Sequence, residues 1–486
     1  MSLSRLPDPD RGVLARSQTI INDLEQLIGA EAVISDEEGR RAFEADALTA
    51  YRRVPLAVVL PSSTEEVAKV LKYCHQNRIK VVPRGAGTSL CGGALPAEDA
   101  VVIGISRMNR VLEVDTANRT IAVETGITNL AITAAVEPDG FFYAPDPSSQ
   151  LACTLGGNLA MNSGGAHCLK YGVTTNNVLG VRMVLVDGEI IEIGGPFLDA
   201  EGYDLLALIV GSEGQFGIIT EATLRILPKA EGSRPILLGF ASSEAAGQCV
   251  AAIIGSGIIP VAIEFMDKPA IAVAEAYAKA GYPLDVEALL IVEVEGSKEE
   301  MDRLASDIIE IAYTCQPTIV EPSTSDEHTE RIWRGRKAAF GAMGRISDYY
   351  CMDGVIPLSR LPQVLTQIGQ ICARHQLRVA NVFHAGDGNL HPLILYNAND
   401  ADEAMRAEIA GAEILKLCVA VGGCLTGEHG VGIEKRDLMN EQFSPTDLTV
   451  QMRIKSVFDP NWLLNPGKVF PLEASPATSA SEEAAA

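Results

Sequence analysis

Paired cysteines are missing from this sequence, and so is any surplus of positive charge. The ten cysteines are scattered; the closest two, Cys418 and Cys424, stand six apart, and no Cys-x-x-Cys occurs. That pattern supports neither an iron–sulfur cluster nor a zinc ribbon, and leaves free thiols in a reducing cytoplasm as the expectation. Lysine and arginine number 39 against 63 acidic residues, a net charge of −24. A nucleic-acid binder needs a basic face, so that class is set aside. An anionic small substrate is not, since it needs only a local basic pocket. No apolar run reaches the length of a transmembrane helix. Met1 to Arg16 carries Asp8, Asp10, prolines and arginines where a signal core would be apolar, so no secretory peptide is expected. Histidine is scarce, with seven in the chain. What is plentiful is apolar residues, 47% of 486, enough for two or more packed domains.

Glycine is concentrated. Between Pro145 and Tyr171 stand two doublets, Gly156-Gly157 and Gly164-Gly165, with Asn158, Asn162 and Ser163 interleaved and almost no charge. Glycine lets backbone N–H groups converge on a ligand without a Cβ in the way. One doublet is as readily a tight turn; two, eight residues apart, favour a loop that binds a phosphate or a flat heterocycle. A second glycine loop, Pro83-Arg-Gly-Ala-Gly-Thr-Ser89, closes a βαβ unit: a strand at 56–60, a helix opened by a Ser63–Glu66 capping box with Val67, Val70, Leu71 and Cys74 on one face, and a strand at 79–82. It is not the dinucleotide fingerprint, because Leu90 occupies the third glycine position and Cys91-Gly-Gly-Ala would not open a helix. Gly211–Gly217 is a third such segment, leading into a strand at 218–226.

The remainder supplies the frame. Residues 1–50 read as a helical arm, with Ile20, Ile21, Leu24, Leu27 and Ile28 at helical spacing. Strands are expected at 101–105, 110–114 and 120–124, and at 178–186 and 189–193, the last two joined by Asp187-Gly188 in a type I′ turn. From Arg234 to Cys315 strands and helices alternate, which suggests an α+β domain with a ferredoxin-like antiparallel sheet. A helix over 325–346, capped by Ser325, carries Arg331, Arg334, Arg336, Lys337 and Arg345; that row is either a solvated face or a local anion site. The division expected is an arm at 1–50, a binding domain at 51–230, a second domain at 231–430, a C-terminal segment at 431–470 and a low-complexity, disordered tail at 471–486.

A second chemical cluster lies at His384-Ala-Gly-Asp-Gly-Asn-Leu-His391, flanked by strands. With Gly386–Asn389 as the loop, His384 opposes His391 on one face, Cβ atoms about 5 Å apart, and two imidazoles so placed can grip one divalent metal. The plainer alternative is a hairpin with two exposed histidines. Glu428, in the glycine-rich run 422–432, would complete a His₂Glu set with open positions, leaving His429 as a general base.

These motifs together resemble a known family. Pro83–Ser89, Pro145-Asp-Pro-Ser-Ser149, Gly156–Tyr171 and Gly211–Gly217 are similar to the FAD-binding domain of the vanillyl-alcohol-oxidase/PCMH flavoproteins. His384–His391, Glu428-His-Gly-Val-Gly432 and Asn465-Pro-Gly-Lys468 are similar to the D-2-hydroxyacid dehydrogenase branch, from about residue 50 to 470 in unbroken order. Gly335–Gly341 and Ile346–Gly354 resemble the FAD subunits of bacterial glycolate oxidases (glycolate dehydrogenases). The fold implied is α+β: a PCMH-type FAD-binding domain of two α/β subdomains, plus a cap domain with a ferredoxin-like antiparallel sheet.

The resemblance implies FAD held by Arg84, Gly85, Ala86, Gly87, Thr88 and Ser89 at the pyrophosphate. Pro147, Gly156, Gly157, Asn158, Ser163, Gly164, Gly165, Tyr171, Gly172, Glu213, Gly217 and Ile218 would line the rest, with Asn465. Thr88 stands where covalent members carry a histidine, so noncovalent FAD is expected, and His167 is not expected to anchor it. It further implies a divalent metal (zinc, manganese or iron) on His384, His391 and Glu428, His429 as base, and Arg336 gripping the carboxylate of a small 2-hydroxy acid. Cys351 stands where relatives acting on longer diacids carry a lysine, favouring glycolate or D-lactate over D-2-hydroxyglutarate. Electrons would leave to a partner FAD-domain-like subunit and an iron–sulfur subunit, the assembly being cytoplasmic and peripheral at the inner membrane. Two other readings stand beside this one. A non-catalytic FAD-binding scaffold would not need the His/His/Glu-His set; a metallohydrolase would leave three glycine loops without a role.

Overall fold

A computed structural model describes residues 6–197 and 202–472; the expected disordered tail lies, from residue 473 onward, outside the described residues. Two compact units divide the chain. The first comprises Ser2–Ser163, Val173–Pro228 and Glu428–Ala486; the second comprises Gly164–Gly172 and Lys229–Gly427.

The first unit is built on two sheets. Ala57–Val59, Ala100–Gly104 and Lys80–Arg84 run parallel, with Val33–Ile34 antiparallel at the edge. Ala57–Val59 and Ala100–Gly104 are apolar and buried on both faces, as strands covered on two sides must be. Helix Thr64–Gln76 lays Val67, Val70, Leu71 and Cys74 into that core, which helix Ser17–Ile28 joins through Ile20, Ile21 and Leu24. The capping box is only half formed. The Glu66 N–H donates to Ser63 Oγ at 3.2 Å, but the Glu66 carboxylate accepts from Ser62 rather than from Ser63. The arm is not wholly helical either: its edge strand Val33–Ile34 has two residues, too few to show a period.

The second sheet is antiparallel, in the order Val111–Asp115, Thr120–Glu124, Ile218–Arg225, Val178–Val184, Ile190–Gly194. The expected type I′ turn at Asp187-Gly188 is corrected. Only Gly188 of the two has positive φ (87°), and the Gly188 N–H donates to Leu185 O while Leu185 N–H donates to Glu189 O. That is a three-residue loop, a type I turn closed by a left-handed glycine, in which aspartate keeps the right-handed conformation it prefers. The C-terminal segment returns to the parallel sheet, where Leu464 bridges to Val81. Behind it Lys455 is buried. Its ammonium donates to Gln215 O, Asp459 Oδ2 and Leu464 O at 2.6–3.0 Å, and burial, opposed by Asp459, lowers its pKa to about 8.

The second unit centres on one antiparallel sheet in the order Ile319–Pro322, Gly232–Phe240, Ala288–Gly296, Ala262–Asp267, Arg378–His384, Asn389–Leu390, Gly354–Val355. Asp348–Cys351 and Pro392–Tyr396 extend it beside Arg378–His384. The helices Ser243–Gly255, Lys268–Ala278, Lys298–Thr314 and Asp326–Met343 are each capped by a serine or aspartate side chain, as the sequence cues require. Central strand residues Leu289, Ile291, Phe265 and Val382 are fully buried. The register that matters sets Glu264 directly opposite His384.

Candidate active site

In the first unit the glycine loops converge. A Cβ on Gly85 would lie 2.5 Å from Thr154 Oγ1 and 3.2 Å from Gly157 N, so the loop at 83–89 and the helix start at 154–157 touch backbone to backbone. Gly87, at φ +76°, could carry a Cβ only by colliding with the Arg84 guanidinium. Thr154 Oγ1 is buried and makes no hydrogen bond among the described residues. A glycine cradle beside an unsatisfied hydroxyl fits a bound pyrophosphate-bearing cofactor. Thr154 was not singled out from sequence; the signal was its place at the N-cap of the helix carrying Gly156-Gly157.

Two residues expected at the cofactor have their polar groups committed elsewhere. Glu213, itself at φ +53°, accepts from Val431 N–H (2.7 Å) and Gly432 N–H (2.8 Å). Asn465 Nδ2 donates to Gly93 O (3.0 Å) and Glu213 O (2.7 Å). They tie the segments 91–93, 211–217, 430–432 and 465–468 into one knot. Burial raises the Glu213 pKa, and burial lowers that of Lys468 to about 7 against the pull of Asp46, Cys91 and Glu213. Arg84 Nη1 donates to Ala45 O at 2.8 Å, which steadies the guanidinium and leaves its other N–H groups for a ligand.

The stretch expected to form one flavin loop is divided. Leu155–Met161 is a helix of the first unit, whereas Gly164–Gly172 belongs to the second. There Lys170 pairs with Glu295 at 2.8 Å, the Tyr171 hydroxyl donates to Glu295, and His167 Nε2 lies 3.3 Å from Glu293.

The second unit holds the histidines. The turn spans Ala385–Gly388, so His384 pairs with Asn389 and not with His391 as expected. The same register pairs Asn381 with Pro392, which sets His391 opposite Val382, two residues along. A slip of two keeps a side chain on its face, where a slip of one would have reversed it. The rings therefore still meet, centroids 5.2 Å apart and nearly perpendicular, and both residues are buried rather than exposed.

Around them lie buried charges. Glu264 Oε1 is 2.8 Å from His384 Nδ1, while Glu264 Oε2 accepts from Arg336 Nε at 2.8 Å and Nη2 at 2.6 Å. Burial acts to raise the Glu264 pKa, but Arg336 and His384 outweigh it and hold the carboxyl at about 2. Arg336 is thus not part of a solvated basic face. Asp353, wholly buried, accepts from Thr426 Oγ1 (2.5 Å) and Gly427 N–H (3.0 Å), with its Oδ1 3.5 Å from His391 Nε2. Cys351 is buried, its thiol donating to Met352 O at 3.4 Å. The donor set suits a divalent ion: two imidazoles, one oriented by a carboxylate, beside a buried Asn389 Oδ1 with no partner among the described residues. Glu428 and His429, both half-buried, open the last stretch of the first unit, one bond beyond Gly427.

Fold and sequence relatives define an FAD-linked oxidoreductase with a PCMH-type FAD-binding fold and a second, α+β unit. Residues 55–194 match the family of FAD binding domains, and 229–469 match FAD linked oxidases, C-terminal domain. The chain belongs to this FAD-linked oxidase family. Glycolate oxidase subunit GlcD of Escherichia coli (strain K12) is 47% identical over 467 residues, covering 96% of this chain and 92% of that one. Its namesake from Bacillus subtilis (strain 168) is 38% identical over 460 residues, covering 94% and 98%. D-lactate dehydrogenase of Anaerostipes hadrus is 32% identical over 461 residues, covering 91% and 95%. Two solved structures share the fold: p-cresol methylhydroxylase (TM-score 0.81, 16% identity, covering 97% and 99%) and 4-ethylphenol oxidase from Gulosibacter chungangensis (0.79, 19%, covering 96% and 99%). Among the described residues no helix is long and apolar enough to cross a membrane.

Proposed function

We propose that this chain oxidises glycolate to glyoxylate, with D-lactate as a second substrate. The observation that carries this is the buried Arg336–Glu264–His384 chain beside His391, in a protein 47% identical to a glycolate oxidase subunit. Arg336 anchors the carboxylate of the 2-hydroxy acid, a task its fixed fork suits. His384, His391 and Glu428 hold a divalent ion, and His429 takes the proton of the substrate hydroxyl. The residues 84–89, 154–158 and 211–218 hold FAD. Bound FAD supplies the two-electron acceptor and a bound divalent ion supplies Lewis acidity; positioning and proton removal fall to the side chains. With Cys351 in place of a second cation, the site serves a monocarboxylate; the D-lactate dehydrogenase relatives support that acid as the alternative.

The ten cysteines form no Cys-x-x-Cys, so reducing equivalents pass to an acceptor outside this chain, which we assign to a partner flavin-domain-like subunit and an iron–sulfur subunit peripheral to the inner membrane. An anaerobic visible spectrum tests the reading. Glycolate is expected to bleach the oxidised-flavin bands, D-lactate more slowly, and D-2-hydroxyglutarate not at all. Bands that no acid bleaches in the chain combined with its partners would favour a scaffold role. Absence of flavin after reconstitution would remove the basis of the reading.

A further inference from the structure

Glu264 stands 120 residues before His384 in the chain, inside the buried strand Ala262–Asp267, where every other residue but Asp267 is apolar. An ionised carboxylate in such a place needs a purpose or full compensation. Its two oxygens serve different partners. Oε1 meets His384 Nδ1, and Oε2 takes the Nε–Nη2 edge of Arg336. A carboxylate flanked by a guanidinium only accepts, so Nδ1 carries a proton, and in the neutral ring, the form that binds a metal, Nε2 is the lone-pair nitrogen. The guanidinium, held along its inner edge, turns its Nη1–Nη2 edge away from Glu264, an edge that matches one carboxylate bidentately.

We infer that Glu264 is a positioning residue that fixes the separation between the substrate's carboxylate anchor and the metal-ligating histidine. This rests on the function proposed above. One side chain sets the tautomer of His384 and the outward edge of Arg336 at the same time, so the distance between the two is set by the span of a single carboxylate. A strand-to-strand register holds that carboxylate in place, because Glu264 and His384 are direct cross-strand partners. The device selects 2-hydroxy acids over 3-hydroxy acids: the hydroxyl that meets the metal must be adjacent to the carboxylate that meets the arginine.

The test compares the FAD-loaded full chain with Glu264→Gln, whose amide keeps the shape but cannot accept from both partners. FAD content is expected to match wild type. The dissociation constant for Mn2+, titrated into metal-stripped protein, is expected to rise 10- to 100-fold, the usual consequence of losing a histidine's carboxylate partner. The KM for glycolate is expected to rise at least tenfold, with a smaller change in kcat at saturating glycolate and Mn2+. Glu264→Asp, which restores charge but is too short to span both partners, is expected to recover no more than one of the two losses. If Glu264→Gln binds Mn2+ and glycolate within twofold of wild type, Glu264 is an inert ion pair and the inference fails. If instead the wild type takes up no Mn2+ and no acid bleaches it, the underlying function fails. Should the variants not fold, nitrogen NMR of wild-type protein labelled at histidine decides. An Nδ1-protonated His384, assigned by its disappearance in His384→Gln, is required, and an Nε2-protonated ring overturns the proposal.

Discussion

A single methyl group tests the cradle around Gly85. Gly85→Ala would set its Cβ 2.5 Å from Thr154 Oγ1, closer than carbon approaches oxygen, with Gly157 N directly behind. FAD binding is expected to weaken at least tenfold, about 1.4 kcal/mol, and the melting temperature of the FAD-free chain is expected to fall as well, because the clash is present without FAD. Differential scanning fluorimetry with and without FAD separates the two. His429→Ala is expected to do the reverse, leaving flavin absorbance intact and abolishing its bleaching by glycolate in stopped flow. The histidines were legible in the sequence because so few exist and two of them flank a turn. Glu264 was not read, although a signal was present: a lone glutamate among apolar strand residues, with no partner near it in sequence. Asp353 and Thr426 escaped for the same reason, since they stand 73 positions apart in the chain.

At the scale of elements, the hairpin at His384 was legible as a hairpin but not in register. The sequence favours Gly386–Asn389 as the loop, yet the left-handed position falls at Gly388 (φ +79°), where a Cβ would also come within 2.2 Å of Ile356 O. Gly388→Ala is therefore expected to cost about 2–3 kcal/mol, read as a lower urea midpoint at unchanged m-value. The helix Lys268–Ala278 carries a different lesson. Its N-cap Asp267 accepts from Ala270 N–H with one oxygen and from the backbone and side chain of Asn381 with the other. Burial raises its pKa to about 6 despite those bonds. In the folded state it therefore binds a proton more readily than in the unfolded state. Its contribution to stability is full below about pH 4 and is lost as pH rises through 6. Denaturation followed from pH 4 to 7 is expected to show that slope, and Asp267→Asn to lack it at a lower overall stability. A wild-type curve whose local slope in this window equals the variant's would contradict the assignment.

The whole molecule carries −24 charges, and its proposed substrate is an anion. Arg336 is neutralised by Glu264, and Glu428 would offset one of the divalent ion's two charges, so about one net positive charge opposes the general field. Raising ionic strength from roughly 0.02 to 0.2 M shortens the Debye length about threefold, and kcat/KM for glycolate is expected to rise about twofold as repulsion is screened. A fall would mean that a basic funnel dominates the approach. The division into two units was only partly legible, because glycine motifs mark where backbone is tight and not which body owns it. Gly164–Gly172 opens on the same glycine doublet as the segment before it, yet is anchored through Lys170, Tyr171 and His167 to a strand more than a hundred residues later.

The knot at Asn465 has a consequence for how the protein is made. Its amide closes on Gly93, 372 residues upstream, and Leu464 completes the strand pairing of Val81. At about 5–20 residues per second, a ribosome needs roughly 20–75 s to bring those ends together. Throughout that time the edge of the parallel sheet at Lys80–Arg84 waits for its last neighbour. Fragments released early by a premature stop are therefore expected to be cut faster by added protease than the full chain, however complete their glycine loops.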